Sequence, residues 1–381
     1  MSTLPTIDLP LIDHHCHGVS PQQLDYTRFQ AMFSESYMPP PPGTNEFQKP
    51  LGLMIRRYCA PLLDLEPFVS GERYVERRFE LGAEEVNRRM IRAGNFDRLI
   101  IDTGFRSDTT LGFEAMAEVA GRPTHEVVRI EAVAEEVARS GVSAGQFAQV
   151  FRNTLLAKSK HAIGLKTIVA YRCTFKIDQT SPSDSDVVDA AGRWLREIEQ
   201  TGKVRLSDPV LERLALWSAG EICRDRRFPL QVHVGFGDPD VYMHACDPTH
   251  FTDFIRDMEK WSVPITLLHN YPFIREAAWL SEVFQNVYID TGVIQNWTGP
   301  MSEKIVGESL EMGKFSKLLF STDAIGLSEL YYLGSVLFRR ALQRVLDQWI
   351  REDMCTLADA DEIICLVATE NARRIYGLGN T

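Results

Sequence analysis

The segment Asp13-His14-His15-Cys16-His17 puts two imidazoles two residues apart at the end of an apolar run. In a strand, successive side chains alternate faces, so His15 and His17 project to one side and His14 and Cys16 to the other. Two imidazoles at that spacing can grip one metal ion. A pair of ordinary polar residues at a strand end is the plainer account, and on this motif alone the two stand level. Three more residues shift the balance. His233 sits near the end of PLQVHV, His269 ends PITLLH, and Asp323 ends KLLFSTD, an apolar run with no other reason to finish in a carboxylate. A lone His in an apolar strand is more often a core residue with its hydrogen bonds made. Four His and one Asp, all at the C-terminal ends of apolar runs, favour a metal site. Imidazole and carboxylate donors suit Zn²⁺ first, with Mn²⁺ or Fe²⁺ as alternatives, and the lack of clustered Cys argues against a structural zinc knuckle.

Positioning these residues requires strands that end on one side of the molecule. Candidate strands are Leu9–Cys16, Asp97–Asp102, His125–Glu131, Ile163–Tyr171, Pro229–Val234, Pro264–His269, Val287–Thr291 and Lys317–Asp323. Most carry apolar residues in succession, the pattern of strands buried on both faces of a parallel sheet. Helical punctuation lies between them: Ser207-Asp208-Pro209 opens a helix to about Arg224, and Asp247-Pro248-Thr249 opens another over Phe251 to Trp261. Eight strands alternating with helices predict an α/β fold of the (β/α)8 TIM barrel type, with an open doubly wound sheet as the lesser option. Barrel active sites form at the C-terminal ends of the strands, where the five candidates fall. Residues 18–96 exceed one crossover and read as a helical insertion after strand one, with a polyproline-like loop at Pro39–Pro42. Residues 324–381 read as a helical C-terminal extension, so residues 1–381 are taken as one decorated barrel.

The remaining composition narrows the class. A hydrophobic content of 44% with 24% charged residues excludes wholesale disorder. A net charge of −11 without a Lys/Arg-rich run argues against nucleic acid or an anionic membrane as partner. The longest stretch free of charged residues, Trp261 to Ile274, falls short of the roughly 20 apolar residues a membrane span needs. The start MSTLPTIDLP has no basic-then-apolar leader pattern, and seven Cys without CxxC pairing suit reduced thiols, so a cytoplasmic protein is expected. The expected partner is a small-molecule substrate, and the insertion and C-terminal helices are candidate surfaces for a homo-oligomer.

Taken together, HxH on strand one, His on strands five and six and Asp on strand eight resemble the amidohydrolase superfamily. The closing ENARRIYGL (Glu370–Leu378) is similar to the C-terminal helix of its amidohydrolase-2 family. GLKTIVAYR (164–172), LQVHVGFGDPD (230–240), LLHNYPFIREAAWL (267–280) and VYIDTG (287–292) are most similar to the amidohydrolase-like module fused to glutamine-synthetase-like proteins. The resemblance covers residues 11 to 378 and is weak only in the insertion. It implies that His15, His17 and Asp323 bind one metal. Where two ions are present, it implies that His233 and His269 hold the second and a carbamylated lysine, for which Lys166 is placed, bridges them. A lysine paired with a carboxylate, or facing the outer helices, is the alternative for Lys166. In one-metal relatives His269 instead hydrogen-bonds the attacking water.

A divalent ion lowers the pKa of bound water and polarises a carbonyl. Asp323 is placed to take the water's proton and pass it to a leaving nitrogen, as base and then acid. Arg172, Tyr271 and Arg275 are candidate substrate contacts, the arginines as bidentate partners of a substrate carboxylate. Asp238, His244 and His250 lie in the same loops. The leading expectation is a metal-dependent hydrolase of an amide-type C–N bond, acting on a small carboxylated substrate such as a γ-glutamyl amide. A decarboxylase or lactone hydrolase of the same family is the first alternative, and a catalytically silent scaffold or sensor barrel the second.

Overall fold

Seven parallel strands form one sheet in sequence order in the computed structural model, which describes residues 7–379. They are β1 (Leu11–Cys16), β2 (Phe96–Asp102), β3 (Thr124–Arg129), β4 (Gly164–Thr167), β5 (Leu230–Val234), β6 (Ile265–His269) and β7 (Val287–Ile289). Residues 1–6, part of the stretch read above for a leader, lie outside the described residues. β1, β4, β5 and β6 are buried along their whole length, as expected of strands with helices outside and side chains packed within.

The expected eighth strand is not a regular one. Lys317 belongs to a 3₁₀ turn, and the chain beyond it is extended without a continuous ladder. It nevertheless lies between β7 and β1: Leu319 N–H donates to the Ile289 carbonyl (2.9 Å), His14 N–H to Phe320 (3.1 Å), and Asp323 N–H to His15 (3.0 Å). The ladder breaks at Thr322, whose N–H and hydroxyl are taken by the buried Asp13 carboxylate (2.9 and 2.5 Å) instead of a backbone carbonyl. A seven-stranded sheet closed by this segment is the barrel framework.

Two strand ends also differ from expectation. β3 stops at Arg129, and the helix Ile130–Arg139 starts at once, so Glu131 lies in a helical first turn. Its carboxylate accepts Thr167 Oγ1 (2.6 Å) and Ile168 N–H (2.8 Å). That contact draws the chain out of the ladder, so β4 ends at Thr167 and Arg172 closes a short helix, Val169–Arg172. The helix opened by Asp208 spans Pro209–Arg226, with the Asp208 side chain accepting from Val210 and Leu211 N–H. Asp247 caps the 3₁₀ turn Pro248–Phe251, which leads into Thr252–Lys260.

The connection from β1 to β2 holds several helices, including Tyr26–Ala31, Gly71–Leu81 and Ala83–Ala93, the last running back to β2. A fully buried ion pair ties it to the long C-terminal helix Ser328–Arg351: Arg78 Nε is 2.9 Å from Glu329 Oε1, which also accepts Tyr74 OH at 3.0 Å. Phe29, Phe33, Phe47 and Tyr74 pack around that pair and belong to the same apolar cluster as the strands. Among the described residues no helix is long and apolar enough to cross a membrane.

Candidate metal centre

β1 delivers His15 and, just past its end, His17; β4 delivers Lys166, β5 His233 and β6 His269, while the closing segment delivers Asp323. His15 Nε2 and His17 Nε2 lie 3.1 and 3.4 Å from Asp323 Oδ1. One donor atom from each of the three lies within 4.8 Å of the others. The far nitrogens are spoken for: His15 Nδ1 is 2.8 Å from Gln231 Oε1, and His17 Nδ1 is 3.1 Å from the Asp102 carbonyl. Gln231 is itself oriented by its amide nitrogen, which donates to the His14 carbonyl and Tyr376 OH, both at 2.8 Å. Each imidazole therefore faces an acceptor at Nδ1, carries its proton there, and turns an Nε2 lone pair into the site.

This arrangement fits a cation. A lone pair on a neutral imidazole and a carboxylate oxygen 3.1 Å apart repel unless positive charge lies between or beside them. In the structure, Lys166 Nζ supplies part of that charge, 2.8 Å from His15 Nε2 and 3.7 Å from Asp102 Oδ2. Two further buried nitrogens, His233 Nε2 and His269 Nδ1, have no hydrogen-bond partner among the described residues. Their rings are 4.8 Å apart, and His269 Nδ1 is 3.5 Å from Asp323 Oδ2. Buried donors and acceptors are seldom left unpaired, so these orphans suit a second ion or a substrate group.

Burial and neighbours set the charges. Burial, then the Lys166 charge, pushes the His15 pKa down to about 3, so His15 is neutral at ordinary pH. Burial alone would raise Asp323, but the imidazoles around it, His269 foremost, hold its carboxyl well below the usual range. Burial lowers Lys166 to about 8 against the opposing pull of Asp102. Asp102 stays ionised because Arg129, bonded through Nε (3.0 Å) and Nη2 (2.5 Å), acts together with Lys166, His17 and His15 to outweigh its desolvation.

The backbone is strained where it presents these groups. His269, Asn270 and Asp323 have φ of 69°, 60° and 48°, a left-handed conformation that costs non-glycine residues of order 1 kcal/mol each. Asp290, at the end of VYID, holds the bend. It accepts His269 N–H (2.6 Å), His14 Nε2 (2.6 Å), Ser321 Oγ (2.8 Å) and Gly292 N–H (3.0 Å).

A cavity of about 330 Å³ opens above the cluster, and its lining includes Glu35, Arg129, Tyr171, Arg172, Arg205 and Asp238. The Tyr171 ring packs on His233 with centroids 4.5 Å apart. Residue 237 must be glycine for this, because a Cβ there would lie 2.0 Å from Tyr171 OH. A larger groove of about 590 Å³ on the insertion, lined by Tyr26, Val75, Phe79 and acidic residues, contains no histidine and is remote from this chemistry.

The structure thus brings together His15, His17, Lys166, His233, His269 and Asp323. Arg172 lines the cavity, paired with Glu135 at 3.0 Å. Tyr271 and Arg275 are not part of the lining. Helix Ile274–Val283 begins directly after the β6 loop and turns Arg275 to solvent, where it forks onto Glu311 at 2.7 and 2.8 Å. Arg275 is therefore not a substrate contact in this geometry. Of the other loop residues, Asp238 reaches the cavity while His244 and His250 do not line it. Residues the sequence reading did not single out are Glu35, Arg129, Gln231 and Asp290. Gln231 carried a usable signal, a polar residue two positions before His233 and so on the same face of β5. Glu35 carried none.

The amidohydrolase family model matches residues 12–378. Protein fluG of Emericella nidulans is 26% identical over 97% of this chain, and the chain spans about half (46%) of that relative's length. A structure from Lactobacillus casei ATCC 334, provisionally described as a metal-dependent hydrolase, superposes with a TM-score of 0.85 at 24% identity, covering 98% of this chain and 96% of the other. Glucuronate isomerase from Caulobacter crescentus shares the fold at a TM-score of 0.65 and 14% identity, with 98% and 92% covered. With the family model matched over nearly its whole length, on a barrel whose strand ends gather the histidines and aspartate described above, the chain belongs to the amidohydrolase family.

Proposed function

We propose that this chain hydrolyses an amide-type C–N bond of a small carboxylate-bearing substrate, a γ-glutamyl amide being the first class to test. In this reading a divalent ion, zinc before manganese or iron, is held by His15, His17 and Asp323. The supporting observation is the convergence of two Nε2 lone pairs, fixed from behind by Gln231 and Asp102, on one oxygen of Asp323. When bound, the ion supplies a polarised water and a Lewis acid for the scissile carbonyl.

The chain's own groups do the rest. Asp323, held ionised by its imidazoles, takes the water's proton and returns it to the leaving nitrogen. His269 Nδ1, beside Asp323 Oδ2, positions that water by hydrogen bonding in a one-ion site; with a second ion it becomes a ligand together with His233 Nε2. Lys166, more easily deprotonated than a surface lysine, would be the residue to take up CO₂ as a carbamate and hold the ions in that case. Arg172 holds the substrate carboxylate from the cavity wall.

The test is to load the protein with zinc, manganese or iron and screen γ-glutamyl amides, N-acyl amino acids and lactones. Release of an amine and an acid, lost in His15→Ala and Asp323→Asn, is the expected result. Release of CO₂, or turnover of lactones alone, contradicts it and favours the decarboxylase or lactone hydrolase alternatives.

A further inference from the structure

The insertion after β1 sends one carboxylate into the cavity. Glu35 lines it together with Asp323, Asp238 and Tyr171. These groups share one space, since burial and the charges of Asp238, Glu35 and Asp323, in that order, raise the Tyr171 hydroxyl pKa. Among the described residues, no hydrogen bond or ion pair is formed by the Glu35 side chain. The other acids of the lining have partners: Glu135 pairs with Arg172 at 3.0 Å, Asp240 with Arg205 at 3.1 Å, Asp238 accepts the Asp240 N–H at 2.9 Å, and Asp323 lies among the imidazoles. Burial, reinforced by Asp323 and then Asp238, pushes Glu35 up to about 7. The charges of Lys49 and Arg106 offset this only in part, and neither cation bonds the carboxylate, so a cation that met it directly would stabilise its charged form.

The loop that carries Glu35 is anchored rather than loose. Lys49 Nζ donates to the Phe33 carbonyl and to Glu46 (both 2.5 Å) and sits 4.2 Å over the Trp297 ring. Glu46 N–H in turn donates to Gln30 Oε1 at 2.8 Å. On another part of the lining, the nine-tenths buried side chain of Arg172 has an Nε with no partner. One cavity therefore has a half-buried carboxylate that no described residue bonds and, in its wall, a guanidinium with a buried N–H that no described residue accepts.

We infer that Glu35, with Asp238 beside it, is a recognition site for a substrate ammonium group, and that with Arg172 it selects a zwitterionic, amino-acid-like substrate. This rests on the reading of the cavity as the substrate pocket of a hydrolase and names the substrate class within it. Glu35 is a specificity residue: it pairs with the ammonium and leaves the attack on the carbonyl to the groups around Asp323.

The probes are L-glutamate and glutarate, which differ only by the amino group, titrated calorimetrically into the metal-loaded full chain and its Glu35→Gln variant. A charge-assisted contact predicts that the wild type binds L-glutamate about 10- to 100-fold more tightly than glutarate. The ratio should fall toward one in Glu35→Gln, and the thermal midpoint of that variant should hold or rise, because a carboxyl whose charged form burial disfavours has been removed. A wild-type ratio near one, a ratio that survives the substitution, or binding of neither probe overturns the inference. Hydrolysis assays keep the two readings apart. If no amide is cleaved but the ratio is large and Glu35-dependent, the functional reading fails and the ammonium site stands. If amides are cleaved with no preference for the amino group, the reverse holds.

Discussion

Replacing Gln231 with Met keeps a side chain of similar length in β5 while removing every polar contact that residue makes. Three buried hydrogen bonds are lost, all at 2.8 Å: His15 Nδ1 to Oε1, and Nε2 to the His14 carbonyl and to Tyr376 OH. At roughly 1 kcal/mol net for each, the metal-free protein should lose about 3 kcal/mol of stability. The effect on metal is separate. Without an acceptor behind Nδ1, nothing fixes which nitrogen of His15 carries the proton, and loss of such a partner typically weakens metal binding about 10- to 100-fold, or roughly 1.4–2.8 kcal/mol. Urea unfolding of the metal-free protein measures the first term, and competition with a chromophoric chelator for zinc measures the second. If zinc affinity stays within about twofold while stability falls, Gln231 is merely structural and the assignment of His15 Nε2 as the metal-facing nitrogen is refuted.

Other perturbations separate the parts of the site. Asp290→Ala strips four partners from a buried carboxylate that also holds the left-handed turn at His269, and should cost about 3–5 kcal/mol by chemical denaturation; a loss below about 1 kcal/mol would contradict its bracing role. Glu212 is fully buried with both carboxylate oxygens unpaired, facing Glu131, Arg172, Glu135 and Arg205, and burial, then Glu131, raises its pKa well above the ordinary value. The folded state keeps a proton that the unfolded chain sheds above about pH 4.5, so this group costs stability progressively as pH rises. Glu212→Gln should therefore raise the melting temperature more at pH 8 than at pH 5, and an equal shift at both would sink the argument. Arg275→Ala should leave both stability and kcat/KM unaltered, because its pairing with Glu311 is solvent-exposed and screened. Arg172→Ala, by contrast, should raise KM for a carboxylated substrate.

The residues that speak chemistry were legible because strand period and strand position constrain them twice. HxH at the end of β1, the terminal His of β6 and the carboxylate after LLFST could be placed at one mouth before any coordinates, since alternation and barrel topology leave few other arrangements. The eighth strand is less regular than its periodicity predicts, because apolar spacing does not reveal that the Asp13 side chain takes the Thr322 N–H from the ladder. β4 is shorter than its apolar run predicts for a similar reason, as the Glu131 carboxylate, just past the end of the neighbouring β3, captures Ile168 N–H. Arg275 failed as a candidate because loop membership does not give direction, and the helix that starts at Ile274 points it outward. Glu35 was invisible. It sits in an insertion without strand period, and only the packing of Phe33, Lys49 and Trp297 brings it over the metal centre.

The central claim is that His15, His17 and Asp323 form a cation site, and a zinc-soaked crystal with anomalous scattering recorded at the zinc edge tests it most directly. The account predicts one strong peak lying about 2.0–2.2 Å from His15 Nε2, His17 Nε2 and an Asp323 oxygen, lost in Asp323→Ala. A peak elsewhere with this trio empty, or no peak in protein shown by solution titration to be folded, would contradict it.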